Sequence, residues 1–361
     1  MSKLWTKFYG ELVDFIEDQS GVVIKEDFVS IDKKIRPAFY KKFNKVRASF
    51  LAQNYSDWLD EAQFLSTKYM KVEDYLSDRL RLEDVLMPGE LERFLSDPMK
   101  QVVRDLFDPL FELLQGKIEP EEFEERAEES VHESFQNLYQ MGYIKWFVLS
   151  WVKNIIPEKI YEVPLPQPSS KQMIFHRDRF KQNIPFPEET KTLSFEVGRR
   201  EVLLIPDFIV RSAKLENYVA FRTQIGKPLW QASFYNEKRE WLSIESFVEE
   251  YGITGLKPDL LLYVGENLED VSLVSDCDKF CRPDLMVYFL DQLEDVEERH
   301  MKKMEDIRVA HDILKPTKGT CVIAKNHLPA NLVELLDANI HVIHFGFNNL
   351  KWEFLMELLS K

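Results

Sequence analysis

Residues 245–280, ESFVEEYGITGLKPDLLLYVGENLEDVSLVSDCDKF, decide how the chain is read. Two apolar runs, Asp259 to Val264 and Ser272 to Cys277, flank GENLED, in which Gly265 and Asn267 are turn formers. A hairpin symmetric about 267–268 sets Asp259 opposite Asp276, a register that a one-residue bulge would break. The side-chain period of two then places Asp278 on the strand face of Asp276. Like charges held opposite each other destabilise a sheet unless something neutralises them. Asp259, Asp276 and Asp278 are therefore candidate ligands for a hard divalent cation; the bland alternative is a solvated strand end.

Outward from this segment, elements alternate. The pattern predicts a helix over 243–251 before it, then a long helix over about 284–314. A strand at 320–324, a helix at 329–338, a strand at 341–345 and a helix near 350–359 follow. Pro283-Asp284 reads as the start of the long helix, and Pro206-Asp207 as a bulge or edge position. Upstream, β-type runs at 202–205, 208–210, 218–221 and 230–234 suggest an antiparallel meander. Residues 157–187 hold six of the 17 prolines and predict an extended linker. The first 155 or so residues carry helical periodicity, as in Val102, Val103, Leu106, Phe107, Leu110, Phe111 and Leu114 before Gly116. The expected organisation is a helical domain at 1–156, a linker at 157–190 and an α/β domain at 191–361. Within the last, 191–242 is an antiparallel β extension and 243–345 the mixed-sheet core.

Composition excludes little else. The chain has 361 residues, enough for two or three domains, and a globular balance of 45% hydrophobic and 30% charged residues. Its charge of −15 comes from 62 acids and 47 bases, and residues 1–160 hold 30 and 22 of them, so the acidity is evenly spread. That disfavours a surface that clamps nucleic acid everywhere, while leaving room for a local patch. Cys277, Cys281 and Cys321 cannot form a disulfide framework, and Cys277-x3-Cys281 lacks a second pair for zinc. The opening MSKLWTKFYGELVDF lacks a signal-type apolar core, and no run approaches the roughly 20 residues of a membrane span. The expectation is a reduced, cytoplasmic, soluble protein. No phosphate-binding loop, dinucleotide turn or serine elbow is present.

Pro258-Asp259 opening one strand, with Asp276-Cys277-Asp278 on the next, resembles the restriction-endonuclease-like superfamily and its PD-(D/E)xK signature. The likeness covers about 243–345. It implies a mixed-sheet nuclease fold in which Asp259 and Asp276 hold Mg2+, Asp278 being a third possible ligand. Activity would be metal-dependent phosphodiester hydrolysis, assisted by a lysine two residues after the second acid. Here that position holds Asp278, and Lys279 follows one residue later on the opposite face. Lys279 joins the three acids in the candidate catalytic set, with Lys257 and Lys325 as alternatives for the lysine role and Glu249 and Glu250 as possible extra acids.

Residues 33–47, KKIRPAFYKKFNKVR, carry seven bases and no acid. Lys33, Lys34, Arg36, Lys41, Lys42, Lys45 and Arg47 are the candidate nucleic-acid contacts. Phe39, Phe43, Val46 and Phe50 have core-stripe spacing, which leaves the bases on the exposed side. The missing motif lysine also supports a second reading, a non-catalytic interaction protein that keeps a nuclease-like core to bind protein or nucleic acid.

Overall fold

The computed structural model describes residues 4–25, 28–164, 186–195, 206–223, 241–243, 258–272, 275–276, 279–290, 297–325, 328, 333, 336, 338–347 and 351–360. Of these, 241–243, 275–276, 279–281 and 297–300 are described by backbone alone. Residues 1–70 with 89–146 form one compact unit, and 71–88 with 147–361 a second.

The N-terminal half is helical. Its elements are α1 (Leu4–Glu17), the hairpin β1 (Val22–Lys25) and β2 (Phe28–Ile31), α2 (Arg36–Asn54), α3 (Ser56–Leu80) and strand β3 (Asp84–Leu86). Then come α4 (Gly89–Ser96), α5 (Pro98–Val102), α6 (Phe107–Leu114) and α7 (Pro120–Asn154). Helix α2 starts with a proline in its first turn, where the missing N–H costs nothing. Its stripe Phe39, Phe43, Val46 and Phe50 is wholly buried, with the Phe43 ring 4.6 Å from that of Phe111. Gly116 ends α6 as its spacing predicts, at a left-handed φ of 68° that an L side chain resists.

The second unit is built on a mixed sheet. In chain order its elements are β4 (Pro157–Glu162), β5 (Glu188–Thr190), β6 (Thr192–Ser194), β7 (Phe208–Ser212), β8 (Tyr218–Thr223) and β9 (Trp241–Ser243). Next are β10 (Leu260–Gly265), α8 (Leu268–Ser272), β11 (Ser275–Asp276), β12 (Lys279–Cys281), β13 (Leu285–Phe289) and α9 (Glu297–Leu314). The chain finishes with β14 (Thr320–Ala324), β15 (Ile340–His344) and α10 (Trp352–Ser360). Eight strands pair in the order β15-β14-β13-β10-β8-β7-β4-β5. β13, β14 and β15 are parallel, and the pairs from β13 to β5 are antiparallel.

Alternation along the strands assigns the two faces. Ile209, Ala220, Leu261, Tyr263, Met286, Tyr288 and Val322 pack with Met304, Ile307, Ala310, Ile313 and Leu314 of α9. On the other face Phe289 meets Phe147 at the end of α7, with ring centres 4.9 Å apart. Phe147 also lies 5.1 Å from Trp352 of α10, so helices cover both faces.

Several expectations change here. The stretch read as a linker opens as strand β4, paired to both β5 and β7. The meander strands β7 and β8 do extend the main sheet in antiparallel fashion, between β4 and β10. Residues 285–289, read as the first turns of a long helix, form β13. Every residue of LMVYF is buried, and a strand buried on both faces loses the alternation that would mark it. The runs at 202–205 and 230–234 lie outside the described residues, as do most positions of the helices expected at 243–251 and 329–338.

Candidate functional site

The hairpin that would set Asp259 against Asp276 does not form. After β10 the chain enters α8, where the Asp270 carboxylate accepts from the Asn267 backbone N–H at 3.2 Å. Gly265 permits this turn, since a Cβ there would stand 2.8 Å from Asp270 Cβ and 2.9 Å from Val271 Cγ1. Both edges of β10 are taken, by β8 and by β13, which leaves no ladder for Asp276 to join. Asp276 lies instead in the separate sheet β11-β12-β9, with Lys279 as its register partner across a two-residue connection. Thus 272–279 is not one continuous strand, and the register argument that brought the acids together fails. Asp278, Lys257, Glu249 and Glu250 lie outside the described residues, and the side chains of Asp276 and Lys279 are not described.

Asp259 has other company. The Phe289 backbone N–H donates to its Oδ2 at 2.7 Å, and the Lys303 ammonium of α9 stands 3.3 Å from the same oxygen. Lys303 Nζ also donates to the Phe289 carbonyl at 2.5 Å, so one residue at the end of β13 links acid and lysine. The pair is partly open, with side-chain exposures of 24% for Asp259 and 36% for Lys303. Burial, with Asp259 and Asp306 adding to it, holds the nearby Tyr288 phenol above its usual range. Lys325 follows β14 at this same end of the sheet.

The other two Pro-Asp steps explain the geometry. Phe208 faces Phe221, so one residue earlier Asp207 faces Arg222; its Oδ2 accepts from the Thr223 N–H at 2.6 Å. Leu260 faces Val287, so Asp259 faces Tyr288 and takes the N–H of residue 289. By the same register Asp284 faces Tyr263, and its Oδ2 accepts from the Val264 N–H at 2.6 Å. Three times, a proline-aspartate step enters a strand and its carboxylate closes the N–H just past its partner. Proline is tolerated at a strand entrance, where no ladder N–H is required of it.

The three differ in what remains. Asp207 Oδ1 holds Arg222 at 2.7 Å, both side chains only 6% exposed, and Asp284 Oδ1 accepts from Thr317 Oγ1 at 2.8 Å. At Asp259 both donors converge on Oδ2, and among the described residues no donor reaches Oδ1. Among the described residues no group of three or more His, Cys, Asp or Glu is gathered as a metal site.

Sequence reasoning passed over Lys303, although its signal was present. Lys303, Ile307, Ala310 and Leu314 are spaced by four, three and four residues, so the lysine extends the buried stripe of α9 by one turn toward the sheet end.

The basic stretch divides. Lys33, Lys34, Arg36, Lys41 and Lys45 are exposed, and Lys45 also pairs with Glu11 at 3.3 Å and lies over the Phe8 ring. Lys42 is half-buried near Phe15, and Arg36 Nε donates to the Ile31 carbonyl. Arg47 must be removed from the candidate contacts because it is 7% exposed. It donates to the Val103 carbonyl and to Asn44, and burial lowers its pKa to about 10.

Among the described residues no helix is long and apolar enough to cross a membrane. Comparison with protein-family models, curated proteins and solved structures finds no match to this chain.

Proposed function

We propose that the second unit is a nuclease-like, restriction-endonuclease-like core that acts on or binds nucleic acid in a metal-dependent way, with Asp259 as its central acid. The carrying observation is the Oδ1 of Asp259, which no donor reaches among the described residues, beside an ammonium at the end of a mixed sheet. The order supports the reading: antiparallel β8, β10 and β13, then α9 and the parallel strand β14. Asp259 would hold Mg2+ through Oδ1, and Mg2+ accepts one or two carboxylates with water and substrate phosphate completing its shell. Such a metal polarises the phosphodiester and lowers the pKa of the attacking water. Lys303 takes the lysine role that Lys279 was expected to fill, orienting that water or a phosphate oxygen from α9. Asp276 and Asp278 remain possible ligands. Lys33, Lys34, Arg36, Lys41 and Lys45 are the exposed bases of the 33–47 stretch that could meet a phosphate backbone.

A second reading, a non-catalytic interaction protein on the same core, is favoured by the repetition of the carboxylate clamp. Asp207 and Asp284 use the same backbone bond with no oxygen left over, so Asp259 is explained as architecture alone.

Calorimetry with Mn2+ and Mg2+ separates them. Asn at 259 still accepts from Phe289, so Asp259→Asn should fold while losing at least tenfold in metal affinity. Lys303→Met should bind metal as tightly or more tightly, because it removes a cation beside the carboxylate. The scaffold reading predicts no metal heat in any variant, and a loss of only about 1–3 kcal/mol of stability on Asp259→Asn.

A further inference from the structure

We propose that a cavity at the other end of the sheet binds a phosphate-bearing small molecule, whether or not the nuclease reading holds. The cavity is about 760 Å³ and is lined by Arg282, His311, Lys315, Lys318 and His341, with Asp312 as the acid among them. Arg282, Lys318 and Asn339 lie just before β13, β14 and β15, which run parallel, whereas Asp259 caps the far end of β13. The volume falls in the range that encloses a nucleotide-sized ligand, about 300–1,000 Å³. One guanidinium, two lysine ammonium groups and two imidazoles surround one space in a chain of net charge −15.

Part of this charge serves the fold. Lys318 Nζ donates to the Leu359 carbonyl at 2.6 Å, and Arg282 Nε to the carbonyl of Lys315, so both answer helix-end carbonyls. Burial lowers the Lys318 pKa, and Asp284, bonded to Thr317, only partly opposes it. Lys315 is different. It stops α9 at a left-handed φ of 41°, where glycine or asparagine is the usual residue and a Cβ is penalised. Its N–H closes onto the His311 carbonyl at 2.8 Å, which a glycine would do equally well. Among the described residues its ammonium has no carboxylate partner. Arg81 and Ile156 follow helices in the same left-handed way, so the backbone alone does not single Lys315 out; what does is an exposed ammonium that the fold does not use, standing at the lining of a basic cavity.

Lys315→Gly separates the two roles, because it removes the charge while relieving the backbone. Pyrophosphate and orthophosphate are titrated calorimetrically into the full chain in metal-free buffer at 0.15 M salt, with thermal unfolding in parallel. Pyrophosphate should bind the wild type, with affinity at least tenfold lower in Lys315→Gly and a Tm equal or higher. Asp259→Asn should bind pyrophosphate as the wild type does, which keeps this site distinct from the one proposed for metal. Absence of binding to the wild type at millimolar pyrophosphate overturns the proposal, as does equal affinity of wild type and Lys315→Gly.

Discussion

Asp207→Ala is expected to cost the second unit about 3–5 kcal/mol, the penalty for stripping one partner from a buried ion pair. The Asp207 and Arg222 side chains are each 6% exposed, so water cannot replace the lost carboxylate. Oδ1 holds the guanidinium at 2.7 Å, while Oδ2 accepts from Thr223 N at 2.6 Å and Thr223 Oγ1 at 2.8 Å. Truncation removes the acceptor of all three of these bonds, and Arg222 Nε is already buried without one. The effect should be read as a fall in the urea midpoint of the full chain with the slope unchanged. Replacing both residues, as Asp207→Leu with Arg222→Met, should recover part of the loss, since the uncompensated charge is then gone. A loss below about 1 kcal/mol for the single variant, the range of an exposed pair, would contradict the buried geometry.

Phe147→Ala should be comparably damaging, at about 3–5 kcal/mol for a large aromatic cut out of a packed core. Phe147 is fully buried and holds together rings from four places in the chain. Its ring centre lies 4.9 Å from Phe289 and Phe345, 5.1 Å from Trp352 and 5.5 Å from Trp151. The two tryptophans supply the readout: native fluorescence should shift as the cavity forms, and the unfolding midpoint should fall. Phe147→Leu, which keeps more of the volume, should lose clearly less.

These two sites show why the sequence could be read only in part. The helices of the first half and the strands at 208–212, 260–265, 320–324 and 340–344 announce themselves through periodicity and short apolar runs. LMVYF at 285–289 does not, because burial on both faces erases alternation and Pro283-Asp284 resembles a helix start as much as a strand entrance. Losing that strand misassigned the partner of β10. One wrong neighbour was enough to place Asp276 opposite Asp259, since register sets every cross-strand pair. Asp259 itself was legible as the acid of the segment. Its lysine was not, because Lys303 lies 44 residues away and reaches the carboxylate only once α9 packs on the sheet.

Arg47 teaches the converse. Its charge suggested a contact surface, yet it stands beside Val46 in the buried stripe of α2 and spends its donors on the fold. Long cationic side chains contribute packing as well as charge, so a run of bases does not by itself define an exposed face.

The most direct measurement is the hydrolysis rate of labelled single- and double-stranded DNA and RNA by the full chain with Mn2+. The account predicts cleavage by the wild type that chelation abolishes and that Asp259→Asn, still folded, reduces at least a hundredfold. No cleavage of any of these substrates, or an unchanged rate in Asp259→Asn, would contradict it and leave Asp259 as a clamp on the sheet like Asp207 and Asp284.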